Sequence, residues 1–244
     1  MRPETEVAAG AVRRALDAAS SGPRDVSAKG VRDVVTGTDV AIEDALRSAL
    51  PGAVVGEERA GESGAGAYWL VDPICGTRNF ASGIPLYCVN VALVESGVVT
   101  VAVVGDASTG SVLVAERGGG AWDGDRRLAA SAASNVLVVE DSHAEGARRE
   151  RAASFAAAAV RADRWDLRSL STTLSLAYVA AGRVAAYVLF WTSPVHAAAG
   201  SLLAAEAGAT VTDLDGRPWT LDADSLVASA DPALHADLLA LLGS

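Results

Sequence analysis

The sequence predicts an α/β fold built as one compact unit, with an N-terminal α+β half over residues 1–134 and a C-terminal α/β half over residues 135–244. Three observations carry this. Two amphipathic helical patterns open the chain. Four apolar runs between Leu86 and Trp122 are then broken by turn residues, as in an antiparallel meander. After Ser131 the pattern changes to alternating strand and helix segments. Half of the 244 residues are hydrophobic and 20% are charged, which is enough for a sizeable core and excludes a disordered chain.

The elements follow in order. Val7, Val12 and Leu16 among alanines predict a helix over 4–20. A second helix runs from Asp39 to Leu50, with Thr38 as its expected N-cap and Pro51-Gly52 as its stop. Ala53 to Gly56 reads as a short strand that delivers Glu57 and Glu58. A polar, glycine-rich loop spans 61–66. The apolar run from Tyr68 to Val71 stops at Asp72-Pro73. The meander then comprises YCVNVALVE, VVTVAVVGD, GSVLVAERG and GGAW. Beyond it, strands are expected at 135–139 and 185–190. Helices are expected at 144–159, 171–181 and 197–207, the last closed by Gly208.

Composition narrows the function. The net charge is −10 and Lys29 is the only lysine, so the basic face that nucleic-acid binding requires is missing. No segment reaches the length of a membrane span, and the first twenty residues carry no apolar leader core. Two cysteines, Cys75 and Cys88, make no disulfide framework. A cytoplasmic protein with a small-molecule substrate is expected, with neither nucleic acid nor membrane as partner.

Chemistry concentrates where a buried strand ends, in WLVDPICGTRNF. This stretch resembles the first motif of the inositol monophosphatase family of magnesium-dependent sugar phosphatases. Further segments are similar to that family's motifs: DVVTGTD at 33–39, GEE at 56–58, AERGGGAW at 115–122, LAYVAAGRVAAY at 176–187 and PVHAAAGSLLAAEAGA at 194–209. The resemblance implies a layered αβαβα sugar-phosphatase-type fold, a site between the two halves, and a homodimer. It also implies a ligand set, of which Glu57, Asp72 and the Ile74 carbonyl remain. Two family aspartates are replaced, one by Cys75 and one by His196. Ser175 and Leu189 stand where acidic residues are usual, Leu189 where a carboxylate would hold a polyol hydroxyl.

Magnesium demands oxygen ligands, so a thiol and an imidazole exclude an ordinary two-magnesium site. The two replaced positions share one metal in the family, which brings Cys75 and His196 together. A thiol beside an imidazole is the composition of a nucleophilic pair. The expected function is therefore acyl-group chemistry (transfer, cyclisation or hydrolysis) through a Cys75 thioester, on a small-molecule or carrier-bound acyl substrate in a biosynthetic pathway. His196 would be the base and Asp72, or else Glu57, the orienting carboxylate. The backbone N–H groups of Gly76 and Thr77 would hold the oxyanion, with Leu189 and Ser175 lining the substrate pocket. Cys75 would be partly ionised at a helix start. No cofactor is expected on this basis. The alternatives are a zinc-dependent or residual magnesium-dependent phosphatase, since Cys75, His196, Asp72 and Glu57 are a sensible zinc set, or an inactive binding subunit. Cys88 is expected in the core, and His143 and His235 at the surface.

Overall fold

The computed structural model describes residues 1–29, 34–59, 61, 66–141 and 144–243. Helix α1 (Pro3–Ser21) starts on a proline, carries Glu4 and Glu6 in its first turn, and buries Ala8, Val12, Ala15 and Leu16 along one face. Strands β1 (Val26–Ala28) and β2 (Val34–Thr36) pair antiparallel and lead into α2 (Gly37–Ala49). The N-cap of α2 is Thr36, not the expected Thr38. Thr36 forms a capping box with Asp39, while Thr38 sits inside the helix and donates to the Pro23 carbonyl. The TGT sequence offers two candidate caps, and only Thr36 has an acid three residues on.

Strand β3 (Ala53–Gly56) runs parallel to β4 (Tyr68–Cys75), which is followed by the short helix α3 (Thr77–Ala81). The meander is β5 (Cys88–Glu95), β6 (Val98–Asp106), β7 (Val112–Glu116), β8 (Gly120–Asp123) and β9 (Arg126–Arg127), all antiparallel neighbours. Strands β3 to β9 form one seven-stranded sheet in sequence order. The rest of the chain contributes β10 (Val136–Glu140), α4 (Gly146–Ala162), β11 (Asp166–Arg168), α5 (Leu174–Ala180), β12 (Ala186–Leu189), α6 (Pro194–Glu206), β13 (Thr210–Thr212), β14 (Leu226–Ser229) and α7 (Pro232–Leu242). These strands make a five-stranded mixed sheet of order β11-β10-β12-β14-β13.

The strands of the meander are apolar on both faces because both are covered. Val89, Val91 and Leu93 of β5 pack with α1 and α2. Cys88, Ala92 and Val94 face the other way, against Leu174 and Ala177 of α5 and Ala198 and Ala199 of α6. The second sheet closes on the far side of α5 and α6 through Val138, Tyr187 and Leu226. Helices α4 and α7 cover its outer face through Phe155 and Leu238. The result is the layered α/β arrangement expected, with α1 and α2, a sheet, α5 and α6, a sheet, then α4 and α7. Gly200 lets α5 and α6 meet: a Cβ there would lie 2.6 Å from the Leu176 Cβ.

Three boundaries differ in ways that bear on the site. Strand β4 does not stop at Asp72 but continues to Cys75, with its register against β5 shifted between those residues. Pro73, which cannot donate to the ladder, falls within that irregularity. Helix α6 begins at Pro194, three residues earlier than expected, which places His196 in its first turn. Helix α5 begins at Leu174, which leaves Thr172 and Thr173 before it. His235 is not at the surface. It is 5% exposed, with Nε2 2.9 Å from Thr212 Oγ1 and Nδ1 2.9 Å from Ser229 Oγ. His143 lies outside the described residues.

Candidate active site

Asp72, Cys75 and His196 converge. One ligand-capable atom from each lies within 4.8 Å of the other two. The shifted register of β4 brings Asp72 and Cys75 to the same place, and the first turn of α6 supplies the imidazole. His196 Nδ1 lies 2.8 Å from Asp72 Oδ2. The other oxygen, Asp72 Oδ1, is fully buried without a hydrogen-bond partner among the described residues. An ionised carboxylate oxygen in that state is costly unless a cation or a proton meets it. Burial accordingly pushes Asp72 up, to about 7. Burial also opposes charge on His196, but the hydrogen bond to Asp72 and the nearby acids outweigh it and hold the imidazole well above its usual value.

Cys75 is held by the segment preceding α5. Its Sγ is 2.9 Å from Thr173 Oγ1 and accepts from the Thr173 N–H at 3.3 Å. Thr172 Oγ1 donates to the Cys75 carbonyl at 2.7 Å. Asn90, opposite Asp72 on β5, ties these parts together. Its Nδ2 donates to Thr173 Oγ1 at 3.0 Å and to the His196 carbonyl at 3.3 Å. The expected thiolate is not what this setting favours. The neighbouring Cys88 thiol and burial push the Cys75 thiol far above its usual value. Cys88 is in the core, as expected.

Glu57 reaches the same cavity from the end of β3. Burial, and next the charge of Asp72, raise it to about 8, while Lys29 Nζ stands 3.6 Å away. Its backbone is positioned by a residue the sequence did not single out. Glu43 on α2 is completely buried and accepts from Arg47 Nε at 2.9 Å, the Glu58 N–H at 2.7 Å and the Arg59 N–H at 3.1 Å. Thr77 Oγ1 is 3.0 Å from both Asp39 Oδ1 and the Ile74 carbonyl, so its proton points to one of them and its lone pairs stay available.

The cavity has a volume of about 420 Å³. Gly76, Thr77, Arg78, Tyr187, Leu189 and Trp191 are among the residues that line it. Gly76 adopts φ 106°, a conformation open to glycine, and a Cβ there would come within 3.1 Å of the Leu86 carbonyl oxygen. Leu189 lines the cavity as expected. Ser175 does not: it is wholly buried on α5, and its Oγ donates to the Thr172 carbonyl at 3.1 Å. Sequence reasoning passed over Glu140, which also lines the cavity, accepts from Ser171 N–H at 2.7 Å and Ser169 Oγ at 3.0 Å, and so shapes the loop before α5. Like Asp72, it is an acid at the end of an apolar strand, and that pattern was available.

The description "Inositol monophosphatase family" matches residues 2–244. An inositol-1-monophosphatase of Mesorhizobium japonicum is 37% identical over 232 residues, covering 88% of this chain and 85% of its own. An inositol-1-monophosphatase of Rhizobium meliloti is 37% identical over 217 residues, covering 83% and 80%. Among solved structures, the extragenic suppressor protein suhB from Bartonella henselae superposes with a TM-score of 0.87 at 27% identity, covering 99% of this chain and 98% of that one.

These relatives overturn the expectation of acyl-group chemistry, and with it the cysteine acyltransferase and the Cys–His nucleophilic pair. They are phosphatases by name, and nothing in the comparisons points to a thioester. The structure gives the physical reason. Cys75 is buried, its thiol is pushed up rather than down, and Thr173 occupies its hydrogen-bonding positions.

Proposed function

Because the chain belongs to the inositol monophosphatase family, we propose that it hydrolyses a phosphate monoester of a small alcohol less polar than a polyol. The observation that carries this is Thr77, hydrogen-bonded to Asp39 on the cavity wall beside Glu57. A water accepted there forms the new P–O bond while the bond to the alcohol oxygen breaks. Thr77 Oγ1 accepts the water's proton as it passes its own to Asp39 Oδ1, and the departing alcohol oxygen takes a proton from solvent in the cavity. Arg78, next in sequence and also lining the cavity, supplies a fixed positive charge for the phosphate. Tyr187, Leu189 and Trp191 face the alcohol portion, which supports a substrate with apolar surface.

The residues fit one of the two metals that the family implies, not both. Glu57 and the Ile74 carbonyl, with Asp72 as a carboxylate shared between the two positions, would hold one hard divalent cation. Cys75 and His196 do not suit a second magnesium ion. A bound cation would supply Lewis-acid polarisation of the phosphate oxygens. The test is phosphate release from a panel of monoesters, comparing inositol phosphates with esters of aryl and short alkyl alcohols. Preference for the less polar esters is the expected result. Absence of release from every ester, across magnesium, manganese and zinc, would reject the proposal.

A further inference from the structure

We propose that Asp72, Cys75 and His196 form a zinc site in place of the family's second magnesium position. The inference rests on the phosphatase proposal for its location only, because its test uses no substrate. A carboxylate oxygen, a thiol sulfur and an imidazole nitrogen within 4.8 Å of one another are a donor set for zinc. Ligand atoms around tetrahedral zinc stand about 3.5 Å apart, given Zn–S near 2.3 Å and Zn–N near 2.0 Å. The widest separation therefore needs to close by about 1.3 Å or less, while Asp72 Oδ2 and His196 Nδ1, now 2.8 Å apart, need to part slightly if both are ligand atoms.

An independent observation points the same way. Asp72 Oδ1 is fully buried without a hydrogen-bond partner among the described residues and belongs to one of the three residues. Such an oxygen needs a cation or a proton, and a metal ion would supply the first. The surroundings also suit a metal-bound thiolate. The Thr173 N–H and hydroxyl lie at the sulfur, and Asn90 fixes both Thr173 and the first turn of α6. Supporting hydrogen bonds of this kind orient ligands and temper the charge on sulfur. The fourth position faces the cavity, where Glu57, a water or a phosphate oxygen can complete the tetrahedron. On binding, the Sγ–H bond breaks, the S–Zn bond forms and the thiol proton passes to solvent.

The experiment strips the purified full chain with a chelator and titrates it with zinc, cobalt(II) and magnesium. The expected result is one zinc per chain, bound at least 100-fold more tightly than magnesium. Cobalt should produce a near-ultraviolet thiolate-to-cobalt charge-transfer band. Cys75→Ser should abolish the band, and His196→Gln should weaken zinc at least tenfold. Cys75→Asp with His196→Asp, an all-oxygen set, should reverse the preference toward magnesium. A wild-type cobalt complex without the band overturns the proposal, even if no variant folds. Zinc affinity unchanged in Cys75→Ser would overturn it too. A zinc site without phosphate release from any ester would leave this inference standing and reject the phosphatase proposal.

Discussion

His196 Nδ1 sits 2.8 Å from Asp72 Oδ2, joining the first turn of α6 to the end of β4 across 124 positions of sequence. The contact is the first of several that raise the imidazole above its usual value, against the effect of burial. Asp72→Asn removes the carboxylate and leaves burial as the main influence. The His196 titration followed by NMR should move down in that variant. A titration no lower than in the parent protein would show that Asp72 does not set the state of the imidazole.

Asn90 should be worth more than an ordinary core amide. Its amide serves Thr173 Oγ1 and the His196 carbonyl, and Asn90→Ala removes both bonds from the interior. The expected loss is about 1–3 kcal/mol in urea unfolding, since each of the two hydrogen bonds removed is worth about 0.5–1.5 kcal/mol. Cobalt absorbance should change as well, because Thr173 holds the sulfur. A variant as stable as the parent would contradict the role given to Asn90.

Gly200→Ala tests the packing that places α6. The added methyl would meet the Leu176 Cβ at 2.6 Å, closer than contact allows. Overpacking of this kind costs about 1–3 kcal/mol. The two helices have to separate, and His196 moves with α6. A lowered melting temperature with weakened zinc binding is expected, and neither change would follow if the contact were slack.

The pH dependence of stability has a marker far from the site. Burial lowers the pKa of His235, which lies between Thr212 and Ser229. The unfolded chain then binds more protons than the folded one as pH falls through the usual histidine range, so stability rises with pH there and is lost on acidification through about 6.5. Asp72, Glu57 and His196, all raised, act in the opposite direction, so it is the difference in denaturant midpoint between the parent and His235→Gln, measured from about pH 5 to 8, that should show this slope. An unaltered slope would place the titrating group elsewhere.

Much of this architecture was legible because both helix and strand periods are strong. Val89, Val91 and Leu93 alternate with Cys88, Ala92 and Val94, and both sets are buried because both faces of the sheet are covered. The convergence of Asp72, Cys75 and His196 was legible through motif resemblance, since the residues lie too far apart in sequence for local pattern to join them. What that convergence does was misjudged. The thiol's state depends on Cys88 across the strand pair and on Thr173 before α5, and neither is adjacent to Cys75 in sequence. Glu43 and Asn90 were passed over for the same reason: each looks like an ordinary polar residue in an element, and only the tertiary fold buries it against the site. His235 was placed at the surface because its partners lie on β13 and β14, on the far side of a turn.

The central claim is that the carboxylates at the end of β4 and β3 still serve phosphate-ester hydrolysis after a thiol and an imidazole have replaced two acids. Its most direct test is phosphate release from a short aryl or alkyl phosphate by the zinc- and magnesium-supplied protein, run beside Asp72→Asn and Cys75→Ala. The account predicts release that falls at least 100-fold in Asp72→Asn, a loss of about 2.7 kcal/mol in transition-state stabilisation. It predicts no covalent adduct on Cys75 by intact mass during turnover. Release undiminished in Asp72→Asn, or an adduct on Cys75 that accumulates and then turns over, would contradict it.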